Sequence, residues 1–151
     1  MNKMMMLTSL VLSIGCAGQT KHVGSSDDDP DEIVCDEAPQ IIHDYDDDSQ
    51  PVGIEVPLLV DVITDQRDGC DLRVMVVELF FKQGTDENWS PAVQMEYIDG
   101  NQYRGSIPGA NVGSASMRYF FKAVDSQQAE TVDPPGADGK DIKAYSFGVT
   151  S

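Results

Sequence analysis

The sequence predicts an all-β protein, an antiparallel two-sheet sandwich of about seven strands, preceded by a signal peptide and a disordered acidic tether. Three observations carry this. First, residues 117–125 alternate: Met117, Tyr119, Phe121 and Ala123 fall on one face and Arg118, Phe120, Lys122 and Val124 on the other. One face is apolar apart from a phenol and the other is mixed, the pattern of a strand half-buried against a second sheet. Second, residues 74–82 and 102–108 read the same way, which makes 117–125 the expected centre of the sandwich. Third, turn residues punctuate these runs, and no helical period follows the first sixteen residues. The 151 residues suffice for one domain with one sizeable core.

Charge narrows the function classes. Ten Lys and Arg against 26 Asp and Glu give a net charge of −16. That balance argues against nucleic acid and against electrostatic docking on anionic lipid, since both partners are themselves anionic. Residues 17–52 hold 11 acidic side chains and one basic residue, Lys21, whereas 53–151 hold 15 acidic and 8 basic. A highly charged arm therefore precedes a mildly acidic domain.

The chain begins as a targeting segment. Lys3 is a positive n-region, and Met4 to Ile14 form a mostly apolar stretch too short to span a bilayer and suited to a secretory signal. Ser13-Ile14-Gly15-Cys16 follows. A small residue directly before a cysteine at the end of the apolar stretch resembles the lipobox of bacterial lipoproteins, with Ser13 where that pattern favours Leu. The resemblance implies a signal peptide over 1–15, cleavage before Cys16 and lipidation of Cys16. An ordinary signal peptide with an incidental cysteine is the competing reading. Acyl chains anchor stably because burial is worth ~0.8 kcal/mol per CH₂. Ala17 after the cysteine, by the same resemblance, implies the outer membrane of a bacterial cell envelope.

With Cys16 given to lipid, two of the three cysteines remain, Cys35 and Cys70, an even pair suited to an oxidising compartment. Bonded, they close a loop of about 36 residues, worth roughly 3–4 kcal/mol in the chain-entropy model. Two free thiols are the alternative. Residues 16–38 read as a flexible tether: Gly18, Gly24, Ser25, Ser26 and the run Asp27-Asp28-Asp29 repel one another and offer little to pack. As a coil it would hold the domain roughly 25–30 Å from the lipid.

Asp44, Asp46, Asp48 and Glu55 occupy the first, third, fifth and twelfth positions of an EF-hand-type calcium loop. Ser49 stands where that loop needs Gly, Pro51 where it is apolar, and no amphipathic helix flanks it. The four carboxylates are therefore candidates for a looser calcium site, against the plainer reading of a charged loop.

The domain, 39–151, opens with a short edge strand at 39–43. Residues 56–64 follow, with Val56, Leu58, Val60 and Val62 facing one way and Pro57 and Asp61 the other. Pro57 is acceptable near a strand's start. In 74–82, Met75, Val77, Leu79 and Phe81 alternate with Val74, Val76, Glu78 and Phe80. Residues 89–97 carry Val93, Met95 and Tyr97 in alternation, and Asp99-Gly100-Asn101 makes a hairpin turn. Tyr103, Gly105 and Ile107 share a face, and 142–149 closes the sheet.

Val77-Glu78-Leu79-Phe80-Phe81-Lys82, Trp89, Val93 and Met95, Tyr103-Arg104-Gly105-Ser106-Ile107-Pro108, and Arg118-Tyr119-Phe120-Phe121-Lys122-Ala123-Val124-Asp125 together resemble the immunoglobulin-like, fibronectin type III-like modules of bacterial surface proteins. The likeness spans about residues 39–149. It implies the fold, and a role as spacer, adhesin unit or accessory domain. Ser126 stands where those modules carry Gly, and Cys35 and Cys70 lie outside the position of antibody disulfides. Trp89, Phe81, Tyr103, Tyr119 and Phe121 are the expected core aromatics, each burying on the order of 150–250 Å². The Tyr119 hydroxyl has two readings, a bond to backbone as in a tyrosine corner or simple packing.

Catalytic sets are not framed. The two histidines, His22 in the tether and His43 at the domain edge, have no partner at a fixed spacing. No nucleophile elbow, His-Glu-x-x-His, Cys-x-x-Cys or phosphate loop occurs. Glu78 and Glu96 are conceivable as an acid and base but belong more naturally on solvated faces. The expectation is a non-enzymatic protein without cofactor, held to membrane by lipid and meeting envelope proteins. The alternative is a module that binds calcium or surface glycan through the Asp44–Asp48 loop or through Phe80 and Phe120. A covered Phe80/Phe120 face favours the spacer, and an exposed one the binder.

Overall fold

The computed structural model describes residues 34–113, 115–137 and 143–151. The predicted signal peptide, Cys16, His22 and most of the tether lie outside the described residues.

Alternation becomes pleated strand over most of the long runs. The strands are β1 (Gln40–Ile42), β2 (Gln50–Pro51), β3 (Val56–Ile63), β4 (Val74–Gln83), β5 (Val93–Gln94), β6 (Glu96–Asp99), β7 (Gln102–Ile107), β8 (Met117–Asp125), β9 (Glu130–Asp133), β10 (Tyr145–Phe147) and β11 (Val149–Thr150). One sheet runs β1-β3-β7-β6 and the other β10-β8-β4-β5, all antiparallel; β9 and β10 share the edge of β8 opposite β4. β2 and β11 form a small parallel pair. The fold is an antiparallel β-sandwich. The eleven strands among the described residues exceed the expected seven because 89–97 divides into β5 and β6, the last predicted run yields β10 and β11, and β2 and β9 form where no strand was expected.

The core lies between the two sheets. β3 sends in Val56, Leu58, Val60 and Val62, as its alternation requires, and leaves Pro57 and Leu59 outside. β4 and β8 supply Val77, Leu79, Phe81, Met117, Tyr119, Phe121 and Ala123, and β7 supplies Ile107. Burying each large apolar side chain here is worth about 1.5–3 kcal/mol.

β1 pairs only with Asp61–Ile63 of β3, leaving the first half of β3 without a strand on that side. In an antiparallel ladder a residue's N–H and C=O point the same way and alternate between edges along the strand. The Leu59 carbonyl points to the β1 side, where His43 meets it, so Pro57 points there too. A proline lacks the N–H that such an edge would offer a new strand, and Pro57 blunts it.

Three expectations about side-chain direction are corrected. Met75 is 60% exposed, because a register shift between Val74 and Val76 turns it out of the inward series. Tyr97 is 57% exposed, because the chain leaves one sheet for the other at Met95. The Met95 N–H still bonds Val77 of β4 at 2.8 Å, whereas Glu96 and Tyr97 pair with β7. Gly105 makes that crossing fit, since a Cβ there would stand 3.0 Å from Met95 Cγ. Trp89 is outside the core: its ring meets Phe120 edge-on at 4.8 Å on the outer face of β8. Lys82, itself buried, donates to the Asp86 carbonyl at 2.8 Å and places Nζ 5.2 Å from the Trp89 ring.

The turns follow their chemistry. Gly100, at positive φ, begins the two-residue turn between β6 and β7. Asp125, fully buried, closes β8 by accepting the N–H groups of Gln127 and Ala129 at 2.8 and 2.9 Å. The left-handed position of this turn falls on Gln128, at φ 67°, so Ser126 needs no glycine; its hydroxyl instead accepts the Arg73 N–H at 3.2 Å.

Cys35 and Cys70 are joined, Cα atoms 5.6 Å apart. A charged clasp reinforces this link. Arg67 donates to Asp36 at 3.0 Å and, through Nε, to both oxygens of the buried Asp65 carboxylate at 2.9 and 3.0 Å. The Arg67 side-chain bond pulls the Asp65 pKa down from 3.8 to about 2, against the opposing effect of burial. A carboxylate whose pKa is lower folded than unfolded stabilises above the unfolded value and loses that contribution as pH falls towards the folded one. Asp65→Asn is therefore expected to lower Tm at pH 7, with the deficit shrinking between about pH 4 and 2; thermal melts of both proteins across that range check it. A deficit that does not change with pH would assign Asp65 a purely steric role.

Candidate functional site

By alternation His43 shares the inward face of β1 with Ile41, and the structure uses it there. Its Nδ1 lies 3.0 Å from the Leu59 carbonyl and its Nε2 3.0 Å from the Tyr119 hydroxyl. A carbonyl only accepts, so Nδ1 carries a proton, and Nε2 pairs with the Tyr119 hydroxyl. One imidazole thus ties β3 of one sheet to β8 of the other. The Tyr119 hydroxyl meets a side chain, rather than the backbone of a tyrosine corner.

Aromatic rings complete this side of the sandwich. The His43 ring stands edge-on to Tyr119, Phe121 and Tyr145, at centroid distances of 5.7, 4.9 and 5.1 Å. Tyr45 stacks on Tyr145 at 4.9 Å, and its hydroxyl donates to the Ser146 carbonyl. The Tyr145 hydroxyl donates to the Asp133 carboxylate at 2.7 Å.

A cleft of about 430 Å³ opens beside the His43–Tyr119 pair. Val56, Leu58, Tyr119 and Phe147 give it an apolar floor, and Asp44, Asp46, Asp48 and Gln50 line its polar wall. Among the described residues, no Lys or Arg lines it. Its size lies within the usual range for small-molecule sites.

The predicted calcium ligands are not gathered as an EF-hand would gather them. The carboxylates that converge, with ligand atoms within 4.8 Å, are those of Asp46, Asp47 and Asp48, all exposed. The Asp48 N–H donates to Asp46 at 2.9 Å. Asp44 lines the cleft outside this trio, and Glu55 lines a separate groove with Glu96 and Arg104. Glu96 is itself paired with Arg104 at 2.9 Å, and Glu78 lies across from Lys122 on β8.

Phe80 and Phe120 do not form an open aromatic surface. They stack on each other at 4.8 Å; Phe120 is buried and meets Trp89 edge-on, whereas Phe80 is half-buried. No protein-family model matches this chain, and no curated protein matches it.

Burial chiefly, then the neighbouring Tyr45 and Tyr145 and the negative charges of Asp46 and Asp133, raises the pKa of Tyr119 above its ordinary 10.0. Burial, followed by the bond to Asp133, raises that of Tyr145 as well. A phenol whose pKa is raised on folding stabilises below the unfolded value and loses that contribution as pH climbs past it. Stability should therefore fall above about pH 10. Tyr119→Phe is expected to cost about 1 kcal/mol at pH 7, by removing the hydroxyl that bonds His43 Nε2, and to soften the alkaline decline. Denaturant melts at pH 7, 9 and 11 on both proteins test this; equal slopes above pH 10 would show that Tyr119 does not carry it.

Proposed function

We propose that this is a non-enzymatic, lipid-anchored protein of the bacterial cell envelope. In this reading an immunoglobulin-like sandwich stands on an acidic tether as a structural or interaction module, and the anchor is the lipidated Cys16 at the outer membrane. The observation that carries the reading is the Cys35–Cys70 disulfide. Disulfides persist in oxidising compartments, and this one leaves Cys16 as the odd cysteine, directly after the apolar leader. The burial of Phe120 under Trp89 supports a spacer over a binder that uses the Phe80/Phe120 pair. The disulfide fastens Cys35 to the 63–73 loop, at the end of β3 away from the His43 cleft.

The intact mass of membrane-extracted protein is expected to match cleavage before Cys16 plus acyl chains. Cys16→Ala should move the protein from the membrane to the soluble fraction. A mass showing leader removal without lipid would make this a soluble secreted module.

The second reading is a calcium-binding module, favoured by the convergence of Asp46, Asp47 and Asp48. It has fewer protein ligands than an EF-hand, so affinity at the weak, millimolar end is expected. Binding only the folded state raises Tm by mass action, and no rise at 5–10 mM calcium (roughly ten times a millimolar Kd) removes this reading.

A further inference from the structure

The His43 cleft combines features that a mere acidic surface lacks. Its floor is apolar, formed by Val56, Leu58 and Phe147 with the Tyr119 ring. Its wall carries Asp44, Asp46 and Asp48, and among the described residues no Lys or Arg lines it to neutralise them. The negative charge of Asp46 is felt at the floor, where it contributes to holding the Tyr119 hydroxyl protonated. A hydrated metal ion would have no use for the apolar floor, and an anion would be repelled by the wall. An added β-strand is disfavoured because Pro57 removes a donor from the uncovered edge of β3. The geometry points to a small amphipathic organic cation as the ligand of this cleft: an ammonium or guanidinium group on an apolar stem. The stem lies along the apolar floor and the exposed Leu59, and the charged end meets the Asp44–Asp48 carboxylates. The inference concerns the folded sandwich alone and does not depend on the lipid anchor.

The test uses the full chain and three six-carbon probes, hexylamine, hexan-1-ol and hexanoate, with butylamine as a shorter amine. Binding is followed by calorimetry and by the aromatic NMR resonances of Tyr119, His43 and Phe147. Hexylamine is expected to shift those resonances and to bind at least about tenfold more tightly than hexan-1-ol, with no hexanoate binding. Removing two CH₂ groups should weaken the amine roughly tenfold, which reports the apolar floor. The triple variant Asp44→Asn, Asp46→Asn, Asp48→Asn changes only exposed side chains and should lose about tenfold in hexylamine affinity while its melt stays cooperative. Hexan-1-ol binding as tightly as hexylamine, or an unaffected triple variant, would overturn the charge assignment. Equal binding of butylamine and hexylamine, or competition by calcium without a chain-length effect, would reduce the site to an acidic patch. A trilysine peptide that binds where hexylamine does not would overturn the small-ligand assignment in favour of a protein partner.

Discussion

The pairing of β4 with β8 is the constraint on which the other strands depend. It runs from Val74 against Asp125 to Gln83 against Met117, and it places Leu79 opposite Phe121 and Phe81 opposite Tyr119 on the core face. The same register sets Phe80 against Phe120 on the reverse face. A slip of one residue would send every one of these side chains to the wrong side. β8 is buried on both faces, unlike the half-buried strands around it, because Trp89 folds over Phe120 from outside. β5 then takes the free edge of β4, and β9 and β10 divide the free edge of β8.

Closing a two-sheet sandwich leaves open sides where sheet edges meet, and here one such side is held by side chains. The chain leaving β1 carries His43 and Tyr45 across from one sheet to the other. His43 bonds to Leu59 and Tyr119, while Tyr45 stacks on Tyr145 and reaches Ser146. An imidazole suits this place because its two ring nitrogens bond in two directions at once. The acidic loop that follows cannot pack against its own charges, so it stands away from the sheet edge, and the space between is the cleft. The opposite fastening, at Cys35–Cys70 and Arg67, uses a covalent bond and an ion cluster to tie the incoming chain to the 63–73 loop.

Much of the fold was legible in the residues, and parts of the site were not. Alternation placed β3, β4, β7 and β8 and their inward faces, because burial against a second sheet imposes period two directly on the sequence. It failed at Met75, where an irregularity shifts the period, and at Tyr97, where one extended run serves two sheets in succession. Trp89 misled because size and hydrophobicity say that a ring must be covered, not which face of which strand covers it. The cysteine pairing was legible from number and compartment. The acidic spacing of 44–55 was legible too, but Glu55 departs onto β3's own groove, and Asp47, on the opposite side of the alternation, joins the converging carboxylates instead.

The sequence by itself determined the class of fold, the inward residues of the long strands, the turn positions and the charge that separates arm from domain. Each of these depends on neighbours a few residues apart, whose chemistry is written in order. Tertiary structure alone decided that His43 and Tyr119, 76 residues apart, share a hydrogen bond, and that an apolar floor lies beside an acidic wall. It also decided that Phe120 of the outer aromatic pair is covered by Trp89. Those outcomes depend on how two sheets are stacked and where their edges end, which no local period encodes.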